Sequence, residues 1–211
     1  MKPKSFCRPL GWAAIIAALL ICHVGVTQSV VEYSTRFTPT EGINADDIGY
    51  SIDVDNNLLV LGAVGRDESA SGSGAAYVYE DVNGTWTLRV KLAPASLGSL
   101  DRFGEQVAVS GSRIAVSAQN YVGTNNYGGG VWTYTYAGGE ATFEDRVIPD
   151  DNVRYDLYGR AMDLEGDVLV VGAPGHDENG PGSGAVYVFE HDGDQWVQTA
   201  KLQPATGSGF R

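Results

Sequence analysis

A chain of 211 residues with a formal net charge of −12 and 43% hydrophobic residues is long enough to bury a core. Its acidity argues against nucleic acid and anionic membrane surfaces as partners. The only cysteines, Cys7 and Cys22, lie near the N-terminus, so no disulfide braces the chain beyond residue 28. The 28 glycines stand among apolar, strand-like runs, which points to turns and not to disorder.

Residues 1–28 read as a targeting segment. Lys2, Lys4 and Arg8 form a positive flank, and Leu10 to Val26 is apolar apart from Gly11, His23 and Gly25. This is a signal peptide or an uncleaved signal anchor. Either places the remainder outside the cytoplasm, secreted or at the cell surface, because the positive flank stays inside. No further membrane contact is expected.

From residue 30 onward one frame recurs every 55 residues, with Pro39, Pro94, Pro149 and Pro204 in phase. The copies run over about 40–94, 95–149 and 150–204. A fixed period of this size marks an array of one supersecondary unit. Val30 to Phe37 aligns with the last strand of a unit, so the array opens with one leading extra strand. In the third copy four runs follow: Gly159–Leu164, Val168–Ala173, Gly184–Phe189 and Trp196–Leu202, here strands a to d. They are rich in Leu, Val, Tyr, Phe and Trp, without helical periodicity. The a–b connection is two residues in every copy, Asn56-Asn57, Gly111-Ser112 and Gly166-Asp167, which suits tight hairpins. The c–d connection turns on Asn83-Gly84 and Asp192-Gly193.

The predicted fold is therefore all-β, a partial β-propeller of three four-stranded antiparallel blades plus a leading strand. Phe103, Tyr158, Trp86, Trp196, Tyr77, Trp132 and Tyr187 are expected to fill the space between sheets. Gly49, Gly104 and Gly159 are expected where strand a crowds the central channel, and Gly62 and Gly172 where a side chain would strike the next sheet. Arg211 falls at the phase of Asp46, Asp101 and Asp156. Three units do not close a ring, so a truncated array is expected, which further blades or self-association would complete.

At these residues the chain resembles the FG-GAP repeat family, found in the N-terminal propeller of integrin α subunits. Phe103-Gly104 supplies the FG element and Gly172-Ala173-Pro174 the GAP element, with Tyr158-Gly159 in phase with the first. Ile48 and Tyr158 stand for Phe, Gly62-Ala63-Val64 lacks the proline, and Ser117-Ala118-Gln119 departs most. The resemblance implies a non-catalytic extracellular binding or adhesion scaffold. The alternatives are a calcium-binding structural module and the non-catalytic platform of a carbohydrate-active enzyme.

Catalysis finds little support in the residues themselves. Beyond the leader the histidines are His176 and His191, and no serine sits in a nucleophile-elbow frame. Calcium needs six to eight oxygens, and the two-residue a–b turns are too short to wrap it, despite Asp53 and Asp55 nearby. The b–c loops offer a candidate calcium site instead, at Asp67 and Glu68 and at Asp177, Glu178 and Asn179. The middle loop, Tyr121 to Tyr127, carries no acid. Asn83-Gly84-Thr85 is a candidate glycosylation sequon as well as a turn. In a four-strand meander the b–c and d–a loops leave the same edge. That long-loop face is the expected contact for a protein or glycan ligand.

Overall fold

The computed structural model describes residues 46–123 and 128–205, all within the unit Phe37–Arg211. The expected leader, the leading strand at Val30 to Phe37, Thr124 to Tyr127 and residues 206–211 lie outside the described residues.

Among the described residues there is no helix, and twelve strands form three four-stranded antiparallel sheets in simple meander order. The first sheet holds β1 (Ile48–Asp55), β2 (Leu58–Ala63), β3 (Ala75–Val82) and β4 (Thr85–Leu92). The second holds β5 (Val107–Ser110), β6 (Arg113–Ala118), β7 (Gly130–Ala137) and β8 (Glu140–Val147). The third holds β9 (Ala161–Glu165), β10 (Val168–Ala173), β11 (Ala185–His191) and β12 (Trp196–Leu202). This is a partial β-propeller, and it is not closed.

The repeat reaches down to register. Each c–d ladder shifts by one residue at the same place, at Val78/Tyr79, Thr133/Tyr134 and Val188/Phe189. The a–b hairpins have two-residue turns whose first member, Asn56, Gly111 or Gly166, takes positive φ. At c–d the copies differ: Asn83-Gly84 is a two-residue turn, whereas four residues separate His191 from Trp196. There Asp192 accepts N–H bonds from Asp194 and Gln195, so a side chain organises the longer turn.

Strand composition follows position. β2 is a continuous apolar run, Leu-Leu-Val-Leu-Gly-Ala, and is buried on both faces. The outer strands alternate and place charges such as Arg89, Lys91, Arg146 and Lys201 on the sheet edges, which blunts them against further pairing. Between the first and second sheets lie Leu58, Val60, Ala76, Val78 and Leu92 against Phe103, Val107, Ile114, Val116 and Trp132. Between the second and third lie Ala108, Ala115 and Val131 against Tyr158, Leu169, Val171, Tyr187 and Trp196. Of the expected aromatics, Phe103, Trp132, Tyr158, Tyr187 and Trp196 are buried there, whereas Tyr77, buried, and Trp86, half-buried, pack on the first sheet's other face. Phe103 meets Trp132 edge-on at 5.6 Å, and one period later Tyr158 meets Tyr187 at 5.7 Å.

Several expectations need correcting. The third copy's strand a begins at Ala161 and not at Gly159, because Tyr158 forms an isolated parallel bridge to Gly129 of the preceding sheet. Likewise Phe103 bridges to Gly74. The crowding at Gly104 is therefore with the preceding sheet and not with a central channel. A Cβ on Gly104, already at φ +93°, would lie 2.5 Å from the Ala75 carbonyl oxygen. The expectation holds for Gly62, where a Cβ would lie 2.0 Å from the Gly104 carbonyl oxygen. It does not hold for Gly172, where a Cβ would meet only Ala161 of its own sheet at 3.6 Å, nor for Gly49, where nothing described lies within 4 Å.

Candidate functional site

The b–c and d–a loops meet at one end of the sheets, and the d–a loop of each sheet lies on the b–c loop of the sheet before. Leu100, Arg102 and Phe103 donate their N–H groups to Ser71, Gly72 and Ser73, and Tyr158 donates to Gly128. These bonds hold an unusual backbone. Leu100, Arg102, Tyr155 and Leu157 all have positive φ, which disfavours a side chain by about 1–2 kcal/mol per residue. Leu100 and Tyr155 are one period apart, and their side chains stand in solvent, Tyr155 being 71% exposed. Arg154 stacks over the Tyr155 ring at 4.9 Å. Beside them a groove of about 180 Å³ is lined by Asn120, Val122, Gly128, Arg154, Tyr155 and Leu157. The sequence offered no signal for these residues beyond the length of the loops, because an exposed apolar side chain at positive φ leaves no pattern.

Beneath the loops each sheet carries a buried aspartate at the start of its frame, Asp46, Asp101 or Asp156. Arg66 pairs with Asp46 at 2.9 Å, and His176 Nδ1 lies 2.9 Å from Asp156. In the second sheet the same phase holds Tyr121, whose hydroxyl instead accepts from Arg146 at 2.7 Å. Asp101 accepts from the Gly98 N–H, and burial, opposed by that bond, pushes its carboxyl above the usual range.

The proposed calcium ligands sit on the first and third sheets, each set tied to its own neighbours. Asp67 accepts the Gly72 N–H at 2.6 Å, and Asp177 accepts the Gly182 N–H at 2.6 Å, so both fold their own loops. Glu68 takes Arg66 at 2.6 Å and Lys91 at 2.9 Å. Burial would raise its carboxyl, but Lys91 and Arg66 together hold it low. Asn179 donates to Gln203 and to the Pro204 carbonyl. Asn83 is exposed at its hairpin tip.

A different trio, Asp151, His176 and Glu178, gathers ligand atoms within 4.8 Å of one another. The Lys201 ammonium already sits among them, bonded to Asp151 and Glu178 and 3.0 Å from His176 Nε2. Lys201, then Gln203 and His176, bring the Glu178 carboxyl down to about 2. Burial would raise Asp151, yet bonds from Lys201 and Tyr187 hold it below its ordinary value. A divalent ion would have to displace this lysine. His176 is thus held at both nitrogens, which suits a structural link better than proton transfer.

At the first strand of each sheet and the residues leading into it, a second network crosses all three sheets. Glu105, buried, accepts from Tyr50 of the first sheet at 3.2 Å and Arg160 of the third at 3.0 Å. Arg102 adds a third bond at 2.8 Å. Asp53 and Asp55, suggestive of calcium in the sequence, accept the N–H groups of Val109 and Gly111 in the next sheet at 2.7 and 2.6 Å. Ser110 accepts from Gly166 in the same way at 2.9 Å.

The family model described as the FG-GAP repeat matches residues 33–79 and 141–189. The span between the matches includes Ser117-Ala118-Gln119, the largest departure from the motif, yet it builds the same four-stranded sheet. No curated protein matches the chain.

Proposed function

We propose that this array of FG-GAP repeats is a non-catalytic extracellular binding scaffold whose long-loop end recognises a protein or glycan ligand. The observation that carries the reading is the pair Leu100 and Tyr155, exposed apolar side chains held at positive φ in successive d–a loops. Strained backbone persists only where the surroundings impose it, and it clusters where a surface is used. Side chains of this kind at loop tips, beside a groove and an arginine, supply the apolar and stacking contacts that dominate recognition. FG-GAP repeats occur in adhesion proteins of the propeller type, and the leader supports export.

The test is binding of the purified chain to arrays of cell-surface proteins and glycans. The double variant Leu100→Ser, Tyr155→Ser should lose at least about tenfold in affinity for any ligand found, with its melting temperature unchanged. Full retention of binding would move the recognition surface elsewhere.

A further inference from the structure

The long-loop end carries one cation with no anion of its own. Arg154 is exposed, and its contact among the described residues is the Tyr155 ring. Every other arginine and lysine among the described residues donates to a carboxylate or, for Arg146, to the Tyr121 hydroxyl. In a chain of net charge −12 such pairing is the expected state of a cation. The exception is local, because the groove beside Arg154 is lined by no carboxylate. At the same phase the earlier copies have Ser99 and Asn44, so this charge belongs to one loop and not to the repeat.

The side chain leaves a fixed backbone. A Cβ on Gly128 would lie 1.9 Å from the Val153 carbonyl oxygen, and one on Gly175 2.0 Å from that of Tyr155, so the loop is held on both sides. The nearest acids along the chain are committed elsewhere, Asp156 to His176 and Asp151 to Lys201. A guanidinium lying on a ring keeps its N–H groups around its edge, open to a two-oxygen acceptor. Gln119, also in the groove, spends its side-chain oxygen on Arg160, which leaves its amide N–H groups for a ligand. Val122 and Leu157 add apolar walls. The groove therefore offers donors beside apolar surface.

We propose that this groove takes a peptide segment of a partner protein that carries an aspartate or glutamate beside an apolar residue, with the carboxylate seated on Arg154. The inference rests on the reading of the long-loop end as the ligand face and names the chemistry recognised there. Two observations favour a peptide over an acidic glycan. The surroundings are aliphatic, with Val153 and Leu157 exposed, whereas a sugar stacks on a ring face, and Arg154 already covers one face of Tyr155. A polyanion would also meet the acidity of the rest of the chain. A single carboxylate flanked by apolar residues meets chiefly Arg154, because more distant charges are screened beyond about 8 Å at physiological salt.

An array of capped hexapeptides tests this with the purified chain. Each peptide holds one Asp or Glu among Leu, Val and Tyr, and stands beside its Asn or Gln counterpart, with oligouronates as a second arm. The acidic peptides should bind more than about tenfold tighter than their amide counterparts. Arg154→Gln should remove that preference with the melting temperature unchanged, since the side chain is exposed. Arg154→Lys should restore it only in part, because an ammonium has no planar fork. Equal binding of acid and amide peptides, no peptide binding, a preference that survives Arg154→Gln, or Arg154-dependent binding of oligouronates alone would each overturn the proposal. A ligand lost with Leu100→Ser, Tyr155→Ser but kept in full by Arg154→Gln would strike this inference and leave the ligand face standing.

Discussion

Glu105 and Arg160 occupy the same position in successive repeats, 55 residues apart, and are bonded to each other at 3.0 Å. Tyr50, one period earlier, bonds to the same carboxylate. The three sheets are thus joined through residues at one phase of the repeat: Tyr50 within β1, and Glu105 and Arg160 just before β5 and β9.

The two partners differ in burial, which sets the expected cost of losing either. Glu105 is 1% exposed and Arg160 52%. Glu105→Ala strips three donors of their acceptor and is expected to destabilise by about 3 kcal/mol. Arg160→Ala removes a half-solvated partner and is expected to cost less than about 1 kcal/mol. Denaturant unfolding of the two variants checks the ranking, and equal effects would remove Glu105 from the centre of the network.

The aspartates at the start of each frame should answer differently to one substitution. Asp46 and Asp156 face Arg66 and His176, and their replacement by Asn is expected to cost about 1–3 kcal/mol. Burial raises the Asp101 carboxyl, so its ionised form opposes folding above the ordinary aspartate range and does so in full at neutral pH. Asp101→Asn keeps an oxygen for the Gly98 N–H and removes the charge. Its melting temperature at neutral pH should equal or exceed the wild-type value.

The Lys201 cluster predicts an acid limb. Asp151 and Glu178 are held below their ordinary values, Glu178 at about 2, so their contribution is complete above the unfolded-state range near pH 4. It is lost as pH falls through that range towards about 2. Lys201→Met should melt lower than the wild type at neutral pH, and the gap should close on acidification. A gap that stays constant with pH would mean that Lys201 acts by packing alone.

Tyr158 takes the place that Phe103 fills one repeat earlier, is fully buried, and among the described residues its hydroxyl has no hydrogen-bond partner. Tyr158→Phe removes an unpaired polar group and is expected to stabilise by about 1 kcal/mol, read as a raised unfolding midpoint.

The strands, their turns and the sheet order were legible because the 55-residue phase aligns three copies of each. The hydrophobic pattern alone puts Val168–Ala173 and Trp196–Leu202 where the structure has them. Asp53 and Asp55 show where linear reading stops. Alternation places them on one strand face, but their partners, Val109 and Gly111, belong to the next copy. Glu105 is a similar case: its neighbours are found by stepping one period in each direction. Lys201 was hidden for another reason, because it approaches Glu178 across a sheet, from 23 residues away. Periodicity reports what repeats, and the Arg66, Tyr121 and His176 substitutions at one phase do not.

The inter-sheet bonds from Asp55 to Gly111 and from Ser110 to Gly166 join nearest neighbours only, in one geometry. Among the described residues no bond reaches past the neighbouring sheet, so the number of sheets is not set by any one junction. A gene that gains or loses one 55-residue module leaves the mutual fit of every other pair untouched, and lineages can count modules without redesigning any of them.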